Sequence, residues 1–374
     1  MPPLWQSRHP TDLDFTASEV TGAIGDSVTV LPIVVAVAVL TDLSLAGMLV
    51  WFGVFQVVWG GYYGVPISVE PMKALAGLVL AGSLTTGEYL MAGLVAGVAL
   101  IAIGATGAIG RFERYLDEAV VRGIQLAVAL VLLRTGVELG LGDPGLALAA
   151  TALALVAIAI GQWNVTALLV LLAGAIYASV TNGGTLGVPN GGTLGLTTAI
   201  AIAPPNLPDL TTGALEATAA QLAMTVGNAA VATSLLLEDY FDRRISPDEL
   251  ATSMGAMNLA AVPLGGMPMC HGSGGVAGKY AFGARTAVAN GVLGVVYVAL
   301  GLGAVGLLAA YPEAMLGVIL VLVALSLGKT GLQTDDYPIA VGVGVVGFVT
   351  NVGLGLVVGL VAARARSWWR ATRQ

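Results

Sequence analysis

Charge is what this sequence has least of. Only 10% of its 374 residues are Asp, Glu, Lys or Arg, against about 25% in a soluble globular domain. That shortage excludes a protein whose surface faces water throughout. The 15 Lys and Arg are outnumbered by 22 Asp and Glu, for a net charge of −7, which fits a salt-adapted organism or GC-rich coding and does not bear on the substrate; no nucleic-acid partner is expected. Cysteine occurs once, as Cys270, which excludes a disulfide within the chain and leaves the redox compartment unreadable. Histidine occurs twice, as His9 and His271. Cys270 and His271 stand together, but with no further cysteine and His9 far away in the N-terminal stretch they predict no metal site. An enzyme would need a nucleophile and base held by a third group. Ser273 near His271 lacks that group, so the sequence predicts neither an enzyme nor a cofactor.

What fills the chain instead is apolar: 57% of residues are hydrophobic and the mean hydropathy is +0.89. The apolar residues come in long runs, among them Val28–Leu40, Leu43–Val58, Met91–Ile109, Ala287–Ala310 and Val341–Ala362. Runs of about 17–25 such residues are the length of a membrane-crossing helix, so the chain reads as an all-α polytopic membrane protein whose solvent is the lipid bilayer. The 52 glycines suit close packing between such helices. The stretch before Val20 is polar and acidic, which predicts no cleavable signal peptide.

The two halves resemble each other. Ser18–Asp26 and Ala220–Asn228 each precede an apolar run, and about 40 residues later each half breaks its helical pattern. The breaks are Gly64-Val-Pro-Ile-Ser-Val-Glu-Pro-Met-Lys-Ala-Leu-Ala-Gly77 and Gly265-Gly-Met-Pro-Met-Cys-His-Gly-Ser-Gly-Gly-Val-Ala-Gly278. Further on, Ala129–Gly136 matches Ala324–Gly331. Three matches in the same order at similar spacing predict an internal repeat. Fourteen segments follow, seven per half: 19–40, 43–62, 64–84, 87–110, 119–141, 145–161 and 163–181, then 213–237, 248–264, 265–280, 284–310, 312–328, 336–348 and 349–365. An odd number per repeat inverts the second half. Residues 1–18 form an N-terminal tail, 19–181 the first repeat, 182–212 a linker with a short amphipathic or re-entrant piece, 213–365 the second repeat and 366–374 a C-terminal tail.

The cations fit this count. Every Lys and Arg except Lys73 and Arg134 falls at a segment end on one side, including Lys279 and Arg285. The positive-inside rule makes that side, with both termini, cytoplasmic. Arg134 can snorkel to the outer interface. Lys73 is left near mid-membrane.

Each break predicts a short extended piece followed by a half-helix. Pro71 suits a helix start, where its missing N–H costs nothing, and Gly272-Ser-Gly-Gly275 opens the second half-helix with little bulk. Two half-helix N-termini facing one point attract an anion, and Lys73 adds a full charge. Ser68, Glu70, Met72, Lys73, Cys270, His271, Gly272, Ser273 and Gly274 are therefore the candidate substrate contacts, with Asn228. Packing kinks are the alternative explanation of these prolines and glycines. Glu70 is either half of a structural ion pair with Lys73 or a proton carrier. His271 is either a structural histidine or a second proton carrier, since imidazole titrates near neutrality. Asp26, the repeat partner of Asn228, is a third proton candidate or a hydrogen-bond anchor for the broken backbone. Gln56, Gln125 and Gln221 are lesser candidates for neutral hydrogen bonds.

These motifs carry a resemblance. Gly25-Asp-Ser-Val-Thr-Val-Leu-Pro32, Pro66–Ala74, Gln221-Leu-Ala-Met-Thr-Val-Gly-Asn228 and Pro268–Thr286 are similar to the motifs of the molybdate transporters related to sulfate permeases, over about residues 18–331. The resemblance implies molybdate uptake and the seven-plus-seven inverted repeat shared with sulfate permeases and nucleobase symporters. It implies a core domain (19–110 and 213–310) and a gate domain (119–181 and 312–365), with the anion site between the half-helices. Two positions depart from the family pattern. Glu70 and Lys279 each stand where Gln is usual, the first inside the site and the second, by the segment count, at the cytoplasmic end. The expected partners are molybdate or a related tetrahedral oxyanion and protons, with a homodimer as a further expectation. The competing functions are sulfate or tungstate transport, a nucleobase or other weak-acid symporter on the same fold, and an anion channel.

Overall fold

A computed structural model describes residues 15–110, 117–181, 207–303 and 311–372. The chain there is almost wholly helical. In the first half run α1 (Ala17–Leu40), α2 (Leu45–Tyr63), a two-residue strand β1 (Glu70–Pro71), α3 (Lys73–Leu80), α4 (Thr86–Ala105), α5 (Glu118–Gly140), α6 (Pro144–Ala159) and α7 (Thr166–Thr181). After it come α8 (Thr212–Met224), a π turn (Thr225–Ala230), α9 (Val231–Phe241), α10 (Pro247–Ala261), β2 (Met269–Cys270), α11 (Ser273–Ala281), α12 (Val288–Gly303), α13 (Glu313–Gly331), α14 (Tyr337–Val349) and α15 (Val352–Ala371). Among the described residues six helical stretches are long and apolar enough to cross a membrane, and α1 makes a seventh if its bent halves count as one span. Most of the 182–212 linker lies outside the described residues. Helix α15 continues to Ala371, through much of the stretch the sequence reading assigns to the tail.

Local chemistry accounts for the ends. Ser44 caps α2 by accepting from the Gly47 N–H, and Thr85 with Glu88 and Ser246 with Glu249 form reciprocal capping boxes on α4 and α10. Asp143 caps α6, with Pro144 at its first position. Helix α1 bends by 44° between Val28 and Val30. Pro32 explains the bend, because its ring clashes with the carbonyl four residues back, that of Val28.

Helix α2 packs on α12, α4 on α8 and α10, and α1 on α11 and α12. Helix α5 packs on α13, α14 and α15, while α7 packs on α13. Helices α1 and α11 nearly touch at Gly25 and Gly278: a Cβ on Gly278 would lie 2.8 Å from the Gly25 carbonyl oxygen. Outward faces carry bare aliphatic side chains such as Leu148, Leu155, Ile176 and Val180, all exposed. In water such faces would associate; against lipid tails they need no cover.

Candidate functional site between two half-helices

Both breaks begin alike. Gly64 ends α2 at φ 70°, and Gly265 ends the turn after α10 at φ 83°, a left-handed geometry that side chains with a Cβ resist. The extended pieces that follow meet as an antiparallel pair, Glu70 opposite Cys270 and Pro71 opposite Met269. The Met72 N–H extends the pairing to the Pro268 carbonyl at 2.9 Å.

Backbone that leaves a helix inside a membrane protein must find other partners, and here buried side chains supply them. Asn258 holds both polar groups of Met269, with N–H to Oδ1 at 2.8 Å and Nδ2 to the carbonyl at 2.7 Å. His271 Nδ1 lies 2.8 Å from the Ser68 carbonyl, and its Nε2 lies 2.7 Å from Ser253 Oγ. The Ile67 carbonyl accepts from Asn290 Nδ2 at 2.8 Å and from Lys279 Nζ at 2.5 Å.

Protein groups also occupy the half-helix N-termini. Gln221 Oε1 accepts from the N–H groups of Ala74 (3.0 Å) and Leu75 (3.3 Å), and its Nε2 donates to Thr225 Oγ1. At the other pole Glu70 Oε1 accepts from the Gly275 N–H at 2.6 Å and from Ser68 Oγ at 3.3 Å. Glu70 Oε2 pairs with Lys73 Nζ at 2.5 Å. Glu70 is buried, whereas the Lys73 side chain is 28% exposed. Ser68 Oγ donates to Asp26 Oδ1 at 2.6 Å, and Gln56 Nε2 donates to Asp26 Oδ2 at 2.7 Å. Gly272 and Gly275 admit the carboxylate: a Cβ on either would collide with Glu70.

A cavity of about 460 Å³ opens beside this cluster, within the usual range for small-ligand sites. Lys73 from α3 and Ser273 and Gly274 from α11 line it, and Gln125, Thr166 and Ser326 add polar groups from α5, α7 and α13.

The predicted residues therefore divide. Lys73, Ser273 and Gly274 reach the cavity, and Ser68 and Glu70 stand one layer behind it. Met72, Cys270 and Gly272 are spent on the strand pair and helix starts: Met72 and Gly272 take the N-cap positions and Cys270 Sγ contacts the Pro71 carbonyl. His271 has both ring nitrogens engaged by Ser253 and Ser68. Asp26 is an anchor within the buried network. Asn228 belongs to the π turn, and its side chain lies outside the described residues.

Lys279 corrects the sequence reading. It does not sit at a cytoplasmic end: it is wholly buried, 3.2 Å from Asp26 Oδ2 and bonded to Gln56, Ile67 and Asn290. Lys73 is thus not the sole interior cation. Asn290 and Asn258 were missed altogether, because nothing local marks a helical Asn as a partner of distant backbone.

A family model described as "Molybdate transporter of MFS superfamily" matches residues 18–132 and 213–327, two stretches of equal length. Relatives include "Molybdate transporter 2" of Arabidopsis thaliana, 27% identical over 86% of this chain and 80% of the relative. "Molybdate transporter 1" of Chlamydomonas reinhardtii is 28% identical over 96% of this chain and 94% of the relative. Among solved structures, the transmembrane domain of the cyanobacterium bicarbonate transporter BicA superposes with TM-score 0.63 at 19% identity, covering 92% of this chain and 96% of that one. The murine Slc26a9 anion transporter in its inward-facing state gives TM-score 0.67 at 14% identity, covering 96% of this chain and 69% of that one. At these identities the likeness is one of fold.

Proposed function

Because this chain belongs to the molybdate transporter family, whose members are transporters and not enzymes, we propose that it imports molybdate by alternating access, with the anion held at the cavity beside Lys73, Ser273 and Gly274. The observation that carries this reading is that one cavity is lined by residues from the start of both half-helices, one of them a lysine. Relatives named as molybdate transporters support the substrate. A compact oxyanion is favoured over a nucleobase because a partly exposed ammonium and small first-turn residues offer it charge and donors.

The coupling runs through Glu70. Its carboxylate holds Lys73 and the Gly275 N–H, both groups an incoming dianion would use. A proton on Glu70 weakens its hold on both and admits the oxyanion, so proton and anion move together. The twofold match of one family model and the paired breaks support a seven-plus-seven inverted repeat. In that arrangement a core built from residues 19–110 and 213–310 moves against a gate built from 119–181 and 312–365. The cations at the segment ends favour a cytoplasmic-membrane location with both termini inside, and burial of Lys279 takes one residue from that count without reversing it.

Binding of labelled molybdate to the purified protein, competed in turn by tungstate, sulfate and uracil, tests the reading. Displacement by tungstate and not by uracil is the expected result. Displacement by sulfate as strong as by tungstate would make this a general oxyanion carrier. No displacement by any tetrahedral oxyanion would overturn it.

A further inference from the structure

The surroundings of Lys279 are unlike those of any other cation among the described residues. Four oxygens from four separate stretches of chain converge on its ammonium: the Ile67 carbonyl (2.5 Å), Gln56 Oε1 (2.8 Å), Asn290 Oδ1 (3.0 Å) and Asp26 Oδ2 (3.2 Å). All five residues but Ile67 are polar or charged, and all are completely buried. A carboxylate, a backbone carbonyl and two amide oxygens make the hard, all-oxygen donor set that holds hard cations. Gln56 Nε2 and Asn290 Nδ2 brace the set, donating to Asp26 Oδ2 at 2.7 Å and to Gln56 Oε1 at 2.8 Å. Without a cation at its centre, the buried Asp26 carboxylate would keep its hydrogen bonds from Ser68 and Gln56 but lose the opposite charge 3.2 Å away that balances it.

We propose that the Lys279 ammonium is a tethered cation occupying a monovalent-cation site, and that the same cage binds a small free cation when the tether is cut. In the intact protein the ammonium balances Asp26 and pins Ile67, which sits one residue before Ser68 and three before Glu70. It is a positioning residue for the broken stretch 64–72 and does not touch the cavity. It also makes the core independent of added sodium: the cage is permanently filled by a group that cannot leave with the substrate.

The test is thermal melting of the purified full chain. Lys279→Ala is compared with the unaltered protein in a buffer whose only cation is bulky N-methylglucamine, then with methylammonium or sodium titrated in. The variant is expected to melt several degrees lower in N-methylglucamine and to recover saturably with the small cation, as a ligand that binds only the folded state requires. The unaltered protein is expected not to respond. Asp26→Asn combined with Lys279→Ala is expected to lose the recovery. An unchanged melting temperature for Lys279→Ala, no recovery with methylammonium, sodium or potassium, or an equal shift in the unaltered protein would each overturn the proposal. If Lys279→Ala cannot be obtained folded, Asp26→Asn with Lys279→Met removes both charges at nearly constant volume. Recovery of that pair where Lys279→Met alone fails supports the charge-balancing role, and failure of both overturns it. None of these readouts depends on which anion is carried, so they stand or fall apart from the molybdate assignment.

Discussion

The carboxylate of Glu70 accepts a hydrogen bond from the backbone N–H of Gly275, 2.6 Å away, across 205 positions of sequence. A residue from the first break thereby occupies the positive end of the half-helix that follows the second. A helix N-terminus favours negative charge, and here a carboxyl group of the protein's own is already on it.

Replacing that anion separates binding from coupling. Glu70→Gln keeps the side-chain shape and removes the charge. In proteoliposomes it is expected to carry oxyanion down its own gradient while losing stimulation by an inward proton gradient. Full pH-driven accumulation by the variant would take Glu70 out of the coupling.

Lys73→Met addresses the other half of the pair. A charge-assisted hydrogen bond contributes about 1.5–3 kcal/mol, so loss of Lys73 is expected to weaken oxyanion binding by about 10- to 100-fold. Calorimetric titration measures this, with melting followed in parallel because Glu70 is left without its partner. Unchanged affinity would remove Lys73 from the site.

Adjacent glycines in α11 are expected to behave oppositely. A Cβ on Gly275 would fall onto Ser68 Oγ, Asp26 Oδ1 and Glu70 Oε1, whereas one on Gly274 meets nothing within 4 Å. Gly275→Ala is therefore expected to lower both melting temperature and binding. Gly274→Ala is expected to fold and melt like the unaltered protein. Equal tolerance of both would mean that Glu70 does not sit where the structure places it.

Asn258→Leu tests how the second break is held. Both backbone groups of Met269 lose their partner, and a buried polar group without one costs about 1–3 kcal/mol. The variant is expected to melt markedly lower and to exchange the Met269 amide hydrogen faster. Unaltered exchange would show that another group holds β2.

The breaks themselves were legible because Gly and Pro act locally. Gly64, Pro66, Pro71, Gly265 and Pro268 interrupt apolar runs whatever surrounds them, and the strand and half-helix after each follow from that interruption. Lys73 and Glu70 were readable as a pair from their spacing of three. Lys279 was not. It lies in the last turn of a half-helix only nine residues long, and a count that expects every segment to emerge at a membrane face puts that turn outside. A lysine stem can turn inward from such a position, and the four oxygens that draw it come from residues 26, 56, 67 and 290. Gln221 was readable as a motif residue and a candidate for neutral hydrogen bonds, but not as the cap of a particular helix. Its capping of α3 depends on α8 lying alongside α3, a tertiary fact no local pattern carries.

The short ladder between the two breaks has a mechanical consequence. It acts as a cross-tie: separating α3 from α11 would strip the Met72–Pro268 bond and the Glu70–Gly275 bond and leave buried polar groups to find new partners. In the alternating access proposed above, the half-helices would travel as one block against the wall built by α5, α7 and α13.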